Sequence, residues 1–239
     1  MKIALLGYGK MGKMIDELIQ RGGRHEVILK ADEFNRNTLS ADDLKQADVA
    51  IDFSVPAAVM TNATLCLNAG LPLVIGTTGW YEQLGELKEL CTKKNGAIIY
   101  ASNFSMGVNI FFEVNRRLSE LMKDRNDYEP RITEIHHTQK KDAPSGTAIT
   151  LAKDILKYSS QKRCWSNEEN GKQDELIILS RREGDVKGIH EVKFTSVADE
   201  ITIRHEAFSR EGFARGAIYA AEWISGKKGF FEFRELLLP

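Results

Sequence analysis

Long apolar runs are missing from this 239-residue sequence: none approaches the roughly 18 residues that a membrane-crossing helix needs. The opening Met1-Lys2-Ile3-Ala4-Leu5-Leu6-Gly7 is likewise too short for a signal-peptide core, so the expectation is a cytoplasmic protein with no membrane partner. A surplus of positive charge is missing too. Lys and Arg number 33 against 34 Asp and Glu, a net charge of -1, which argues against nucleic acid as a partner. Cysteine is scarce: Cys66, Cys91 and Cys164 are widely separated, form no C-x-x-C pair, and are expected to be free thiols rather than zinc or dithiol ligands. There is no internal repeat and no low-complexity tract.

What is present is a change of rhythm partway along the chain. Over the first hundred residues short apolar segments (2–6, 27–30, 49–53, 73–75 and 97–100) alternate with stretches of helical spacing (11–21, 57–69 and 81–94). Parallel strands need such crossovers, so the pattern predicts a parallel sheet covered on both faces. After Ser105 the order changes to a helix over 107–123, a strand over 131–138, a helix opened by Pro144-Ser145-Gly146, and a run of strands. Val192, Phe194 and Ser196 alternate on one side of Ala198-Asp199-Glu200, and Ile201, Ile203 and His205 on the other, as in an antiparallel hairpin with one buried face. From Arg210 a helical pattern returns, and the closing Leu236-Leu237-Leu238-Pro239 is expected to pack back on the first domain. The polar stretch 159–174 reads as a mobile loop. The expected division is 1–105 plus 211–239 for the first domain and 106–210 for the second.

The first strand runs directly into Gly7-Tyr8-Gly9-Lys10-Met11-Gly12, a G-x-G-x-x-G between a predicted strand and a predicted helix. In that position the glycines allow a tight turn, close approach of a pyrophosphate and close helix–strand packing, with the phosphates at the helix N-terminus. Asp32 follows about 20 residues after Gly12, where a carboxylate can accept hydrogen bonds from an adenosine ribose. Asp32 and Glu33 repel a 2′-phosphate, whereas Arg36, Lys10 and Lys13 can pair with one, so NADH and NADPH both stay open. Gly76-Thr77-Thr78-Gly79 and Ala101-Ser102-Asn103-Phe104 follow the next two strands, either as ordinary turns or as the rim that holds a nicotinamide. The fold class is therefore α/β, a Rossmann-type dinucleotide-binding domain with a second α+β domain for substrate and oligomerisation.

Chemistry is densest between Glu134 and Ala148: Glu134-Ile135-His136-His137-Thr138-Gln139-Lys140-Lys141-Asp142-Ala143-Pro144-Ser145-Gly146-Thr147-Ala148. Hydride addition to a conjugated C=C or C=N leaves electron density that must be protonated, and His136, His137 and Lys140 are the one tight cluster of acids. Ser145-Gly146-Thr147 at a helix start offers N–H groups and a hydroxyl to a carboxylate. A metal is not expected, since adjacent histidines on a strand point to opposite faces and no carboxylate-rich set follows. Arg182-Glu183-Gly184-Asp185 either orders substrate or neighbouring loops or forms a solvated turn.

H-H-x-x-K-x-D-A-P-S-G-T-A resembles the signature of the dihydrodipicolinate reductases, also called 4-hydroxy-tetrahydrodipicolinate reductases, of bacterial diaminopimelate and lysine biosynthesis. The glycine loop, Gly76 to Gly79, Asn103 to Asn109, Arg182 to Asp185, and His205 to Arg210 with Phe213 to Ala217 are similar to that family in the same order, spanning nearly the whole chain. The resemblance implies catalytic roles for His136 and Lys140, and substrate contacts for His137, Gly146 and Thr147. It implies cofactor contacts from Gly7, Tyr8, Gly9, Lys10, Met11, Gly12, Asp32, Gly76, Thr77, Thr78, Ala101, Ser102, Asn103 and Phe104. It further implies NADH or NADPH as cofactor, a cyclic dicarboxylate as substrate, and a homotetramer assembled through the second domain. Two departures stand out: Thr138 replaces a basic residue common in relatives, and the cofactor loop is one residue shorter. The competing reading is a catalytically silent dinucleotide-binding redox sensor, which needs the glycine loop but not His136, Lys140 or the helix-start clamp.

Overall fold

The computed structural model describes residues 1–237, so Leu238 and Pro239 of the expected C-terminal packing lie outside the described residues. In chain order the elements are β1 Lys2–Leu6, α1 Lys10–Gly22, β2 Glu26–Ala31, α2 Ala41–Leu44, β3 Val49–Asp52, α3 Val59–Asn68, β4 Leu73–Ile75, α4 Leu84–Lys93 and β5 Ala97–Tyr100. There follow α5 Met106–Leu121, β6 Glu129–His136, α6 Gly146–Tyr158, β7 Cys164–Ser166, β8 Glu175–Arg182, β9 Ile189–Thr195, β10 Glu200–Glu206, α7 Glu211–Ile224 and β11 Gly229–Glu232. They group into two units, one formed by Met1–Met106 with the segment from Glu211 onward, the other by Gly107–Arg210.

In the first unit a parallel sheet runs in the order β11-β5-β4-β3-β1-β2. Alternate residues of its strands feed two cores. Ile3, Leu5, Val49, Ile51, Val74 and Ile99 pack with α1 and α7, while Ala4, Leu6, Ala50, Leu73, Ile75 and Ile98 pack with α3 and α4. Both faces are dry, which is why these strands read as continuous apolar runs rather than as alternating ones. Chain direction across the sheet reverses between β1 and β3, and in such sheets the crevice at the carboxyl ends of that strand pair takes the ligand.

The second unit carries a mixed sheet in the order β10-β9-β6-β8-β7. Ile132, Leu176, Ile178, Val192 and Phe194 on one face meet Ala148, Leu151, Ala152 and Ile155 of α6 together with Phe111 of α5. The i, i+3, i+4, i+7 spacing on α6 is the apolar stripe that lays this helix on the sheet. The β9–β10 hairpin has the expected antiparallel register, Phe194 opposite Ile201 and Val192 opposite Ile203.

Some boundaries depart from the sequence reading. β6 starts at Glu129 and stops at His136, so His137 and Thr138 lie beyond the strand. The helices expected over 57–69 and 81–94 each begin with a 3-10 turn, Pro56–Ala58 and Tyr81–Gln83. The stretch 159–174 is not loop throughout, because Cys164–Ser166 pairs in parallel with β8 as an edge strand. Cys164 and Trp165 there are exposed, so backbone pairing alone makes the strand and leaves no apolar pattern to read. β11 likewise adds an unexpected edge strand beside β5.

Candidate functional site

The glycine loop closes the crevice between β1 and β3. Gly7 has φ of 100°, and a Cβ there would stand 2.3 Å from the Phe53 carbonyl oxygen, so the turn can be made only by glycine. A Cβ on Gly12 would meet the Gly7 oxygen at 2.3 Å, which fixes how tightly α1 sits on the loop. Gly9 caps α1 without a side-chain hydrogen bond, and nothing lies within 4 Å of where its Cβ would be. The first N–H groups of α1 therefore face an open approach, the arrangement that accepts phosphate. Asp16 secures the loop from behind, accepting the Tyr8 hydroxyl at 2.5 Å and the Lys30 ammonium at 2.6 Å.

An open cleft of about 610 Å³ lies over this loop, within the roughly 300–1,000 Å³ usual for small-molecule sites. Gly7, Tyr8, Gly9, Lys13, Asp32, Glu33, Phe34, Arg36, Phe53, Ser54 and Asn62 are among the residues lining it. Asp32 Oδ1 accepts the N–H groups of Phe34 and Asn35 at 2.8 and 3.2 Å, leaving Oδ2 without a protein donor among the described residues. Acidic Asp32 and Glu33 and basic Lys13 and Arg36 all border one cleft. Beside it Asp52, fully buried, accepts Ser54 N–H and Thr77 Oγ1 on Oδ1 and Asn62 Nδ2 on Oδ2, each at 2.8 Å. It thereby joins the loop after β3 to Gly76-Thr77-Thr78, and burial pushes its carboxyl pKa up. Phe104, by contrast, commits its ring to the core, 4.8 Å from the Phe233 ring and 6.2 Å from that of Phe53, and its carbonyl oxygen packs against Gly216, where a Cβ would stand 1.7 Å from it. Ala101 and Thr77 are buried, Ser102 is exposed and Asn103 is half-buried.

In the second unit, strand register assembles the reactive groups. Glu134 and His136, two apart on β6, share the buried face that carries Ile132 into the core. His190 on β9 stands opposite Glu134, and Arg182 on β8 stands opposite His136. Each aligned pair projects to one face, so four polar side chains meet at the end of an otherwise apolar surface. His136 Nδ1 lies 3.4 Å and His190 Nε2 lies 3.8 Å from Glu134 Oε2. Ser145 N–H donates to both Glu134 oxygens at 3.1 and 3.2 Å, and the Arg182 guanidinium reaches Oε1 at 3.3 Å. Ser145 Oγ caps Ala148 N–H and meets His190 Nε2 at 3.2 Å. The N–H groups of Gly146 and Thr147 at the start of α6 have no protein acceptor among the described residues.

The loop after β6 is fastened by the same arginine. Arg182 donates to the Asp142 carbonyl at 2.5 Å and to the Lys140 carbonyl at 3.3 Å and so orders the neighbouring loop, while Glu183, Gly184 and Asp185 after it form an exposed turn. Lys140 Nζ meets both Asp142 oxygens at 2.7 Å. His137 is half-buried next to it.

Electrostatics follow from this packing. Burial acts to raise the Glu134 pKa, but hydrogen bonding from Ser145 and the His136 imidazole outweigh it and the carboxylate stays ionised. Burial lowers the His136 pKa, with Glu134 working against that and Lys140 and Arg182 with it. His190, more deeply buried and next to His136, falls to about 3 and is neutral.

Donor atoms of Glu134, His136 and His190 lie within 4.8 Å of one another, a set with a single carboxylate rather than a carboxylate-rich one. His190 comes from a separate strand, a juxtaposition that only register creates. Both Glu134 oxygens already accept Ser145 N–H, however, and a guanidinium sits on one of them. The cluster is a carboxylate matched to cations and N–H donors, built around an imidazole.

A parallel sheet with its glycine loop at the switch point, joined in one chain to a unit carrying an acid cluster and a helix start capped by Ser145 with its Gly146 and Thr147 N–H groups open, defines a dinucleotide-dependent oxidoreductase. Comparison with known proteins places it further. Residues 1–104 match the family model described as dihydrodipicolinate reductase, N-terminus, and residues 107–237 match dihydrodipicolinate reductase, C-terminus. The 4-hydroxy-tetrahydrodipicolinate reductase of Christiangramia forsetii is 47% identical over 99% of this chain and 98% of its own length. That of Thermosipho africanus is 34% identical over the same shares. Dipicolinate-bound dihydrodipicolinate reductase from Paenisporosarcina sp. TG-14 shares the fold with a TM-score of 0.81 at 23% identity, covering 98% of each chain. This chain belongs to the dihydrodipicolinate reductase family.

Proposed function

We propose that the chain reduces 4-hydroxy-tetrahydrodipicolinate, an unsaturated cyclic dicarboxylate, to tetrahydrodipicolinate in diaminopimelate and lysine biosynthesis, with NADH or NADPH as reductant; overall the ring gains one hydride and one proton and loses its hydroxyl as water. The observation that carries the site assignment is the paired placement of His136 and the open N–H groups of Gly146 and Thr147, both linked to Ser145 and Glu134. In the first unit Gly7 to Gly12, Asp32, Gly76 to Thr78 and Ala101 to Phe104 would hold the dinucleotide. The turn at Gly7, barred to any side chain by the Phe53 carbonyl, together with the uncapped start of α1, fits a pyrophosphate. A reduced nicotinamide, when bound, supplies the hydride.

The remaining work falls to this chain's own residues. Gly146 and Thr147 hold a ring carboxylate at the positive end of α6, and His137 adds a polar contact. His136 and Lys140 deliver the proton that follows the hydride. A dianionic ring raises the His136 pKa on arrival, charging the imidazole where it is needed. Lys140 exchanges Asp142 for the substrate. The same reading gives a cytoplasmic homotetramer assembled through the five-stranded sheet, consistent with the unpaired edge of β10 and the exposure of Val197 and Ile201. Sedimentation at micromolar concentration checks the assembly.

The test of function is NAD(P)H oxidation by purified protein, expected only when the hydroxylated ring substrate is supplied. Tight NADH binding with no turnover on that substrate would favour the redox-sensor reading instead.

A further inference from the structure

Among the buried polar groups of the second unit, Glu134 has no assigned task, yet it touches His136, His190, Arg182 and the α6 cap at Ser145. It is fully buried, it receives Ser145 N–H at the cap of α6, and it faces His136 Nδ1 at 3.4 Å. That Nδ1 has no hydrogen-bond partner, and in the present geometry it is close enough to Glu134 for an ion pair but not aligned for a hydrogen bond. The groups facing His136 are Glu134 on its own strand, Arg182 on β8, His190 on β9, and Lys140 and Asp142 on the following loop. Of the two anions, Glu134 is the buried one and the one already fixed by backbone.

We infer that Glu134 is the positioning residue of this enzyme: it receives the Nδ1 proton of His136, turns Nε2 toward the substrate, and ties the proton donor to the carboxylate clamp through Ser145. The inference rests on the proposed role of His136 as acid. Glu134 carries no proton to the substrate. Its carboxylate holds the imidazole in one tautomer and stabilises the imidazolium, as second carboxylates do beside catalytic histidines. Arg182 reaches that carboxylate and fastens the Lys140–Asp142 loop at the same time.

Glu134→Gln keeps an acceptor for Ser145 N–H but removes the charge. The expected result is a fall in kcat of roughly ten- to a hundredfold, with KM changed by less than about threefold. The alkaline limb of the kcat profile should move down by about one pH unit, and Glu134→Asp should restore part of that shift. A purely structural role would lower the yield of folded protein without moving the limb. If Glu134→Gln does not fold, nitrogen-15 NMR of wild-type histidines decides: His136, assigned by its absence in His136→Gln, should carry its proton on Nδ1 at neutral pH. Wild-type kcat and limb in Glu134→Gln, an unmoved limb despite a lower rate, or an Nε2-protonated His136 would each overturn the inference. In those cases an inactive His136→Gln leaves the functional reading standing; a fully active His136→Gln would remove both.

Discussion

Lys140 and Asp142 form a two-pronged ion pair, the ammonium 2.7 Å from each carboxylate oxygen, inside the loop that Arg182 holds against β8. Hydrogen bonding to Lys140 is the main reason the Asp142 pKa is lowered. The pair is only partly buried, so its contribution to stability is small. In the proposed mechanism it is a holding position for the second proton donor. Lys140→Ala is expected to lower kcat by about a hundredfold or more while leaving the melting temperature within a few degrees. Asp142→Asn should retain turnover and should not raise KM, since it frees the ammonium for an anionic ring. Steady-state kinetics on the two variants checks both.

Ligand binding should take up protons. Burial, the dominant influence on His136, holds its pKa below 6.5, so the imidazole is largely neutral at pH 7. Two ring carboxylates nearby raise it, and protons are bound between the free and the liganded pKa. Affinity for pyridine-2,6-dicarboxylate should therefore weaken as pH rises through the liganded value. Titration calorimetry in buffers of different ionisation enthalpy should show uptake in the wild type and much less in His136→Gln.

His190 makes the opposite demand on the folded state. Its folded pKa of about 3 lies below its unfolded value near 6.5, so between these values the unfolded chain binds more protons. Its contribution is fully favourable above about pH 6.5 and is lost progressively as pH falls toward 3. Melting temperatures should fall from pH 7 to pH 4 with a slope that His190→Gln flattens. An equal slope in both proteins would show that another group governs acid unfolding.

Discrimination between cofactors should depend on Asp32. One of its oxygens shapes the 34–35 turn, and the other has no protein donor among the described residues. Asp32→Ala should reduce kcat/KM with NADH by about tenfold, and with NADPH by less, because the lost carboxylate also repelled a 2′-phosphate. The ratio of the two values measured on one preparation is the readout.

What could be read in advance was whatever lies close together along the chain. Gly7 to Gly12 follows its strand directly, and His136 to Thr147 is one continuous segment, so local spacing carried both. Arg182 and His190 could not be placed from spacing, because they reach Glu134 and His136 only through the pairing of β6 with β8 and β9. Asp52 has no signal of its own in the sequence, because Asn62 and Thr77 converge on it only through the fold. β7 and β11 went unseen for a related reason: short edge strands form by backbone pairing and need no alternating pattern.

The most direct test of the account is a crystal structure of the protein with NADH and pyridine-2,6-dicarboxylate. One ring carboxylate should lie within hydrogen-bond distance of the Gly146 and Thr147 N–H groups, with His136 Nε2 and Lys140 Nζ facing the ring. A dicarboxylate bound away from α6, with His136 and Lys140 unchanged, would contradict it.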